Sequence, residues 1–287
     1  MDRPPAPPPA PPPAPSLTAQ PSAGHRPGWF GDAVVDLVAG STCLGCGHPG
    51  RLVCRSCRAG LQVPPTPAVV RPWPRGLGPV WSAAPHADLP RALVVGHKER
   101  AQLGLRRPLV DLLAGAVAAG ALSELAPGAG PDPGPPAPPA PPVPTGPPAG
   151  RLLLCPVPSR PGSARRRGHD PLRAIVRGAA GRLRRAGWDV RVVDLLVAGR
   201  ARDQGELGAI ERQRNLRGTM HCPSPRLARS QRRHPRAWVV VCDDVVTTGS
   251  TLVEATRALA AVGVPVLAAA TVTSTPRRGG APVAARG

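Results

Sequence analysis

The chain has 287 residues, of which 43 are proline and 33 glycine, so a good part of it cannot enter a packed core, and the remainder suffices for one or two domains. Its formal charge of +20 is carried almost wholly by arginine, since Lys98 is the only lysine; the bias fits a high-GC genome and equally favours polyanions, whether nucleic acid or the phosphates of a small substrate. No run of about 18 apolar residues is present to span a membrane, and the amino-terminal stretch lacks the apolar centre of a secretory signal, so the expected compartment is the cytoplasm.

Residues 1–28 are dominated by Pro and Ala and read as an extended, solvated tail. Residues 29–65 hold Cys43-x2-Cys46-x7-Cys54-x2-Cys57, two paired knuckles that bring four thiolates within reach of one tetrahedral Zn²⁺. The spacer of seven makes the module compact, and His48 is a substitute ligand. A redox pair or two disulfides is the other reading, disfavoured where no export signal precedes the thiols. Cys155 and Cys242 lie in apolar strand contexts and read as core residues.

From residue 66 to 280 the pattern alternates strand and helix. Leu89 to about Leu125 reads as helix interrupted near Gly96 to Gly104, with Leu109, Leu112, Leu113 and Val117 forming an apolar face. Lys98 falls in that interruption, either a solvated helix-end charge or a compact phosphate-binding charge. Residues 126–150 are again Pro-rich and read as a disordered insertion. Leu152 to Cys155 follows as a buried strand, then Pro156-Val157-Pro158-Ser159-Arg160 and the basic run Arg165 to Arg167, then a helix from Pro171 to about Gly187. A turn followed by basic residues at a strand end suits a pyrophosphate, with a solvated arginine run as the plainer account. A strand over about Val190 to Val197 leads into a long polar segment containing Gln204 and Arg214-Asn215-Leu216, a mobile lid or an ordinary surface loop.

The most informative run comes next. Trp238 to Val241 reads as a buried parallel strand, Asp243 and Asp244 stand at its carboxyl end, and a helix is expected over Ser250 to Val262. Between them, Gly249 permits close backbone approach, Thr247, Thr248, Ser250 and Thr251 offer hydroxyls, and the helix start presents unpaired N–H groups to an anion. Adjacent acids there can accept hydrogen bonds from vicinal ribose hydroxyls or position Mg²⁺ through water. The bland alternative is a capped strand-to-helix turn, which does not require two acids. No Gly-Lys-Ser/Thr occurs, so a Walker A loop is absent. Residues 281–287 form a tail.

The run Asp243-Asp244-x-x-Thr247-Thr248-Gly249-x-Thr251 resembles the phosphoribosyl-diphosphate (PRPP) signature of type I phosphoribosyltransferases. With the cysteine knuckles, Lys98, Pro156-Val157-Pro158, Arg167-Gly168, Gln204 and Arg214-Asn215-Leu216 in the same order, the chain from about Asp36 to Thr275 resembles the ComF family of competence-associated phosphoribosyltransferase-like proteins. His169 and Asp170 depart from the aromatic and Asn usual after the Arg-Gly pair. The resemblance implies an α/β fold of the type I phosphoribosyltransferase kind, a mainly parallel sheet flanked by helices with a hood, plus a small zinc ribbon. It implies PRPP with Mg²⁺ as ligand and structural Zn²⁺ on Cys43, Cys46, Cys54 and Cys57. Thr247 to Thr251 are expected to hold the 5-phosphate, Asp243 and Asp244 the ribose, and Ser159 and Arg160 with Lys98 the pyrophosphate. It also implies a link to uptake of single-stranded DNA, and hence a competing reading as a DNA-binding or complex-forming protein that keeps the fold.

Overall fold

The computed structural model describes residues 41–70, 73–125, 150–159, 170–199 and 218–275. The Pro-rich tail, nearly all of the Pro-rich insertion, Arg160, the basic run, and the polar segment with Gln204 and Arg214 to Leu216 lie outside them.

The elements in chain order are α1 (Arg55–Gly60), β1 (Thr66–Pro67), β2 (Val80–Pro85), α2 (Asp88–Glu99), a 3-10 turn (Leu103–Leu105), α3 (Arg106–Leu125), β3 (Arg151–Pro156), α4 (Pro171–Arg185), β4 (Val190–Val192), β5 (Val197–Ala198), β6 (Met220–His221), α5 (Ser224–Arg233), β7 (Ala237–Val246), α6 (Ser250–Ala260) and β8 (Val266–Ser274). Six strands form one sheet in the order β1-β2-β8-β7-β3-β4, in which only β1 runs antiparallel to its neighbour; β5 and β6 make a separate antiparallel pair.

Central strands buried on both faces need continuous apolar runs. Leu152 to Cys155 in β3 and Val239 to Cys242 in β7 supply them. Helix α4 starts where Asp170 accepts the Arg173 N–H (3.1 Å) and Pro171 occupies the first turn. Its residues Leu172, Ile175, Val176, Ala179, Ala180 and Leu183 recur at helical spacing and are buried, while the arginines face outward. It packs on α3 closely enough that Val110 leaves no room for a Cβ at Gly178.

Several boundaries differ from the sequence reading. Trp238 is 42% exposed, because it lies near the outer end of β7, and the buried run begins one residue later. β7 continues through the acids to Val246, with Asp243 opposite Thr271 of β8. Helix α2 runs on past Gly96, so Lys98 sits in its last turn rather than in the interruption, which shortens to 100–102 and the 3-10 turn. The strand expected over Val190 to Val197 is divided: Asp194 pairs with Arg173 and gives its carbonyl to Arg226, and the chain then leaves the main sheet to form β5. Among the described residues one helical stretch, Leu103–Leu125, is long and apolar enough to cross a membrane; its contacts with β8, β2 and α4 are those of a core helix.

Candidate active site and cysteine cluster

Strands β3 and β7 are neighbours, but β3 is followed by α4 and β4 on one side and β7 by α6 and β8 on the other. Their connections diverge and open a crevice at the carboxyl ends, the place where open α/β sheets take ligands. A cleft of about 500 Å³ lies there, lined by Lys98, Ser159, Pro171, Asp243, Asp244 and Thr251 among others. The Val157 N–H donates to the Cys242 carbonyl (3.0 Å) and closes the strand ends together beneath it.

The acid pair is held from three sides. Asp243 is buried and its Oδ1 accepts the N–H of Asp244 (2.8 Å). Asp244 Oδ2 lies 2.6 Å from Lys98 Nζ, with the two side chains 13% and 40% exposed. The Thr273 hydroxyl reaches the Asp244 carbonyl (3.4 Å) and contacts His86 Nδ1 (2.9 Å). Burial, then the neighbouring Asp244 charge, pushes the Asp243 carboxyl well above the usual carboxylate range, against the opposing pull of the Asp244 N–H and the Lys98 charge. Burial works against the Lys98 ammonium, but the carboxylates of Asp244 and then Asp243 outweigh it and hold the amine above its ordinary value.

The turn after β7 is built to leave backbone donors open. Gly249 adopts φ 71°, ψ 0° and stands at the start of α6 with no side chain capping the helix. A Cβ there would lie 3.0 Å from Leu77 Cδ2 and 3.4 Å from Pro74 Cγ, because the segment before β2 backs the turn. Thr248 Oγ1 and Ser250 Oγ are 2.8 Å apart. The uncapped N–H groups and these hydroxyls form an anion cradle beside the acids. One turn further along α6, the buried Glu254 accepts the Met220 N–H (2.9 Å) and pairs with Arg257 (2.7 Å), which donates to the Met220 carbonyl (2.8 Å). Burial alone would raise its pKa; Arg257 and the Met220 N–H outweigh this and hold the carboxyl below its usual range.

The ligand atoms of Cys43, Cys46, Cys54 and Cys57 lie within 4.8 Å of one another, and His48 is exposed outside the group. Cys46 Sγ and Cys54 Sγ are 3.7 Å apart. That is close to the edge of a Zn–S tetrahedron with bonds of about 2.3 Å, an edge of roughly 3.8 Å, and far from a disulfide bond of about 2.05 Å. The N–H of Cys54 donates to Cys43 Sγ (3.3 Å) and that of Cys57 to Cys54 Sγ (3.4 Å). Burial would raise the Cys43 thiol, but the N–H groups of Cys54, Cys46 and Gly45 bring it down to about 6. Cys57 is pushed up to about 12 by hydrogen bonding to the other three thiols, Cys54 first. The cluster has the donor set of structural Zn²⁺. Cys155 and Cys242 are fully buried in β3 and β7, away from this group.

Residues 180–285 match the family model of the phosphoribosyl transferase domain. The match begins within α4 and runs through the acid pair and phosphate turn. Together with the mainly parallel sheet and flanking helices, the match shows a fold of the phosphoribosyl transferase kind and supports a function like phosphoribosyl transfer. No curated protein matches the chain.

Of the site residues expected from sequence, Lys98, Ser159, Asp243, Asp244 and Thr251 line one cleft, with Thr247 to Ser250 forming the turn beside it. Arg160 lies outside the described residues. His86, Thr273 and Glu254 escaped the sequence reading. The Thr in Ala270-Thr271-Val272-Thr273 marks a strand with polar inward positions, which is a usable signal; His86 and Glu254 carry none.

Proposed function

We propose that this protein binds PRPP with Mg²⁺ and transfers a phosphoribosyl group to or from a base. The observation that carries the reading is the convergence of the acid pair, Lys98, Ser159 and the uncapped start of α6 on one cleft at the switch point of the sheet. The α6 N–H groups with Thr247, Thr248, Ser250 and Thr251 bind the 5-phosphate. Asp243 and Asp244 accept hydrogen bonds from the ribose hydroxyls and favour the positive charge that develops at C1 as the bond to pyrophosphate breaks. Ser159, Arg160 and Lys98 neutralise the departing pyrophosphate. Mg²⁺ bound with PRPP shields the diphosphate charge, and the acids offer the oxygen donors that a hard cation takes directly or through water.

Because Lys98 already neutralises Asp244, a ribose hydroxyl enters by sharing or replacing that ion pair. This fits a lysine that moves to the pyrophosphate once ligand is bound. The ComF resemblance extends the proposal to a cytoplasmic role in natural transformation, with the DNA-uptake machinery as partner. A second reading, a DNA-binding protein on the same fold, is favoured by α5: Arg226, Arg229, Arg232 and Arg233 share a helix with no acidic residue and none buried.

The test is calorimetric titration of PRPP and Mg²⁺ into the wild type and into an Asp243→Asn, Asp244→Asn double variant. Binding to the wild type that disappears in the variant supports the PRPP site. A folded wild type that takes up no PRPP, but binds single-stranded oligonucleotide with steep salt dependence, moves the DNA reading to first place.

A further inference from the structure

The cysteine module and the PRPP cleft meet through one helix. Within residues 41–61 only Cys43 and Leu61 are fully buried apolar side chains, with Leu44, Leu52 and Val53 partly buried against the domain core, so the module has little core of its own and a metal on its four thiolates would hold it together. It is nevertheless packed hard against the element that carries Lys98. The Gly45 backbone, between Cys43 and Cys46, approaches the first turn of α2 so closely that a Cβ would sit 3.3 Å from Leu89 Cδ2 and 2.8 Å from Cys57 Sγ. The Leu44 N–H donates to the Leu52 carbonyl (3.0 Å), and Leu52 Cδ1 lies 3.3 Å from the Cβ position of Gly104, in the 3-10 turn just past the end of α2. On its other side the module is tied down by Arg58, whose guanidinium pairs with Asp111 of α3 (2.7 Å); Asp111 also pairs with Arg182 of α4 (3.0 Å).

Thus α2 rests on the module at its start and just beyond its end, and it delivers Lys98 to Asp244 at 2.6 Å. From Leu89 to Lys98 the helix spans about 14 Å, so a tilt of about 5° moves the lysine by about 1 Å, enough to open that ion pair. Leu93, Val94 and His97 keep α2 anchored to the domain, so loss of the bearing displaces the helix rather than freeing it.

We propose that the four-cysteine module is a positioning element of the PRPP cleft: metal on its thiolates seats α2, and removal of the metal takes Lys98 off Asp244. The PRPP part of this rests on the function proposed above, but the displacement of Lys98 does not.

Lys98 is the only lysine, so acylation of the one ε-amine, followed by peptide mass, reports its pairing without any ligand. In the metal-loaded protein acylation should be slow, with Asp244→Asn serving as the reference for the unpaired amine. Chelation should raise the wild-type rate severalfold towards that of Asp244→Asn and weaken PRPP by about 5- to 100-fold. Lys98→Met should bind PRPP weakly and to the same extent with and without metal. Leu89→Ala, with its metal retained, should also speed acylation, which separates lost bearing from lost folding. The proposal is overturned if a folded, metal-stripped wild type is acylated at the loaded rate, or if stripping weakens Lys98→Met as much as wild type. If the loaded protein binds no PRPP, the proposed function fails while the acylation rates still decide the positioning claim.

Discussion

Replacing Asp243 with Asn should make the protein more stable, and increasingly so as pH rises. Asp243 is 7% exposed and adjoins the Asp244 carboxylate, and among the described residues its carboxyl is compensated only by the Asp244 N–H (2.8 Å) and by a lysine already committed to Asp244. Its pKa is therefore above the unfolded value, by burial first and by the Asp244 charge second. Above the unfolded pKa of about 3.9 the native state then holds a proton that the unfolded chain has lost, so stability falls as pH rises, until the native carboxyl also ionises. The slope from one group reaches about 1.4 kcal/mol per pH unit within that window. Asn keeps the shape and an oxygen to accept the Asp244 N–H, and it does not titrate. Urea denaturation of both proteins at pH 5 and pH 7.5 measures the difference, which includes the loss of the coupling of Asp243 to Asp244 and Lys98. The variant's advantage over wild type should be larger at pH 7.5 than at pH 5. An equal difference at the two pH values, or a variant less stable at pH 7.5, would refute the account of Asp243 as a strained acid.

Other outcomes follow from neighbouring contacts. Gly249→Ala places a side chain at φ 71° and 3.0 Å from Leu77 Cδ2, and should cost about 1–2 kcal/mol in denaturant melts while weakening PRPP binding. Glu254→Ala leaves the Met220 N–H without its acceptor, and should destabilise by about 2 kcal/mol and speed hydrogen exchange at that amide. Metal analysis should return about one zinc per chain in the wild type and none in Cys43→Ser, Cys46→Ser.

What could be read from sequence was chemistry carried by local spacing. Four cysteines in two knuckles, and two acids followed by a hydroxyl-rich turn, specify their surroundings because each group needs the others within a few residues. The partner of Lys98 could not be read, since Asp244 is brought to it by folding the helix ending at Glu99 over a strand from the far end of the chain. β8 was only half legible: the Thr271-Val272-Thr273 end reads as strand, but the alanines before it favour helix and are drawn into a strand because β2 and β7 flank them. α5 has Leu227 as its one larger aliphatic side chain, packed against the core, so no apolar period announced it. The break after β4 depends on Asp194 meeting Arg173 and Arg226, contacts that sequence spacing does not fix.

The acid pair argues for retained ligand binding on energetic grounds. A buried carboxyl beside a second one is a standing burden on the fold, and Asn at position 243 would relieve it while keeping the hydrogen bond to the Asp244 N–H. Among the described residues the neighbouring groups are otherwise engaged: Thr273 is directed to the Asp244 backbone carbonyl, and Lys98 is spent on Asp244. What ionised oxygens at this place lack is a set of hydroxyl donors and a positive charge arriving from the cleft. On the function proposed above, a ribose with its 5-phosphate in the adjoining turn would bring the first, and the cationic carbon formed as pyrophosphate leaves would bring the second, so the burden borne by the free protein would be relieved as that reaction proceeds.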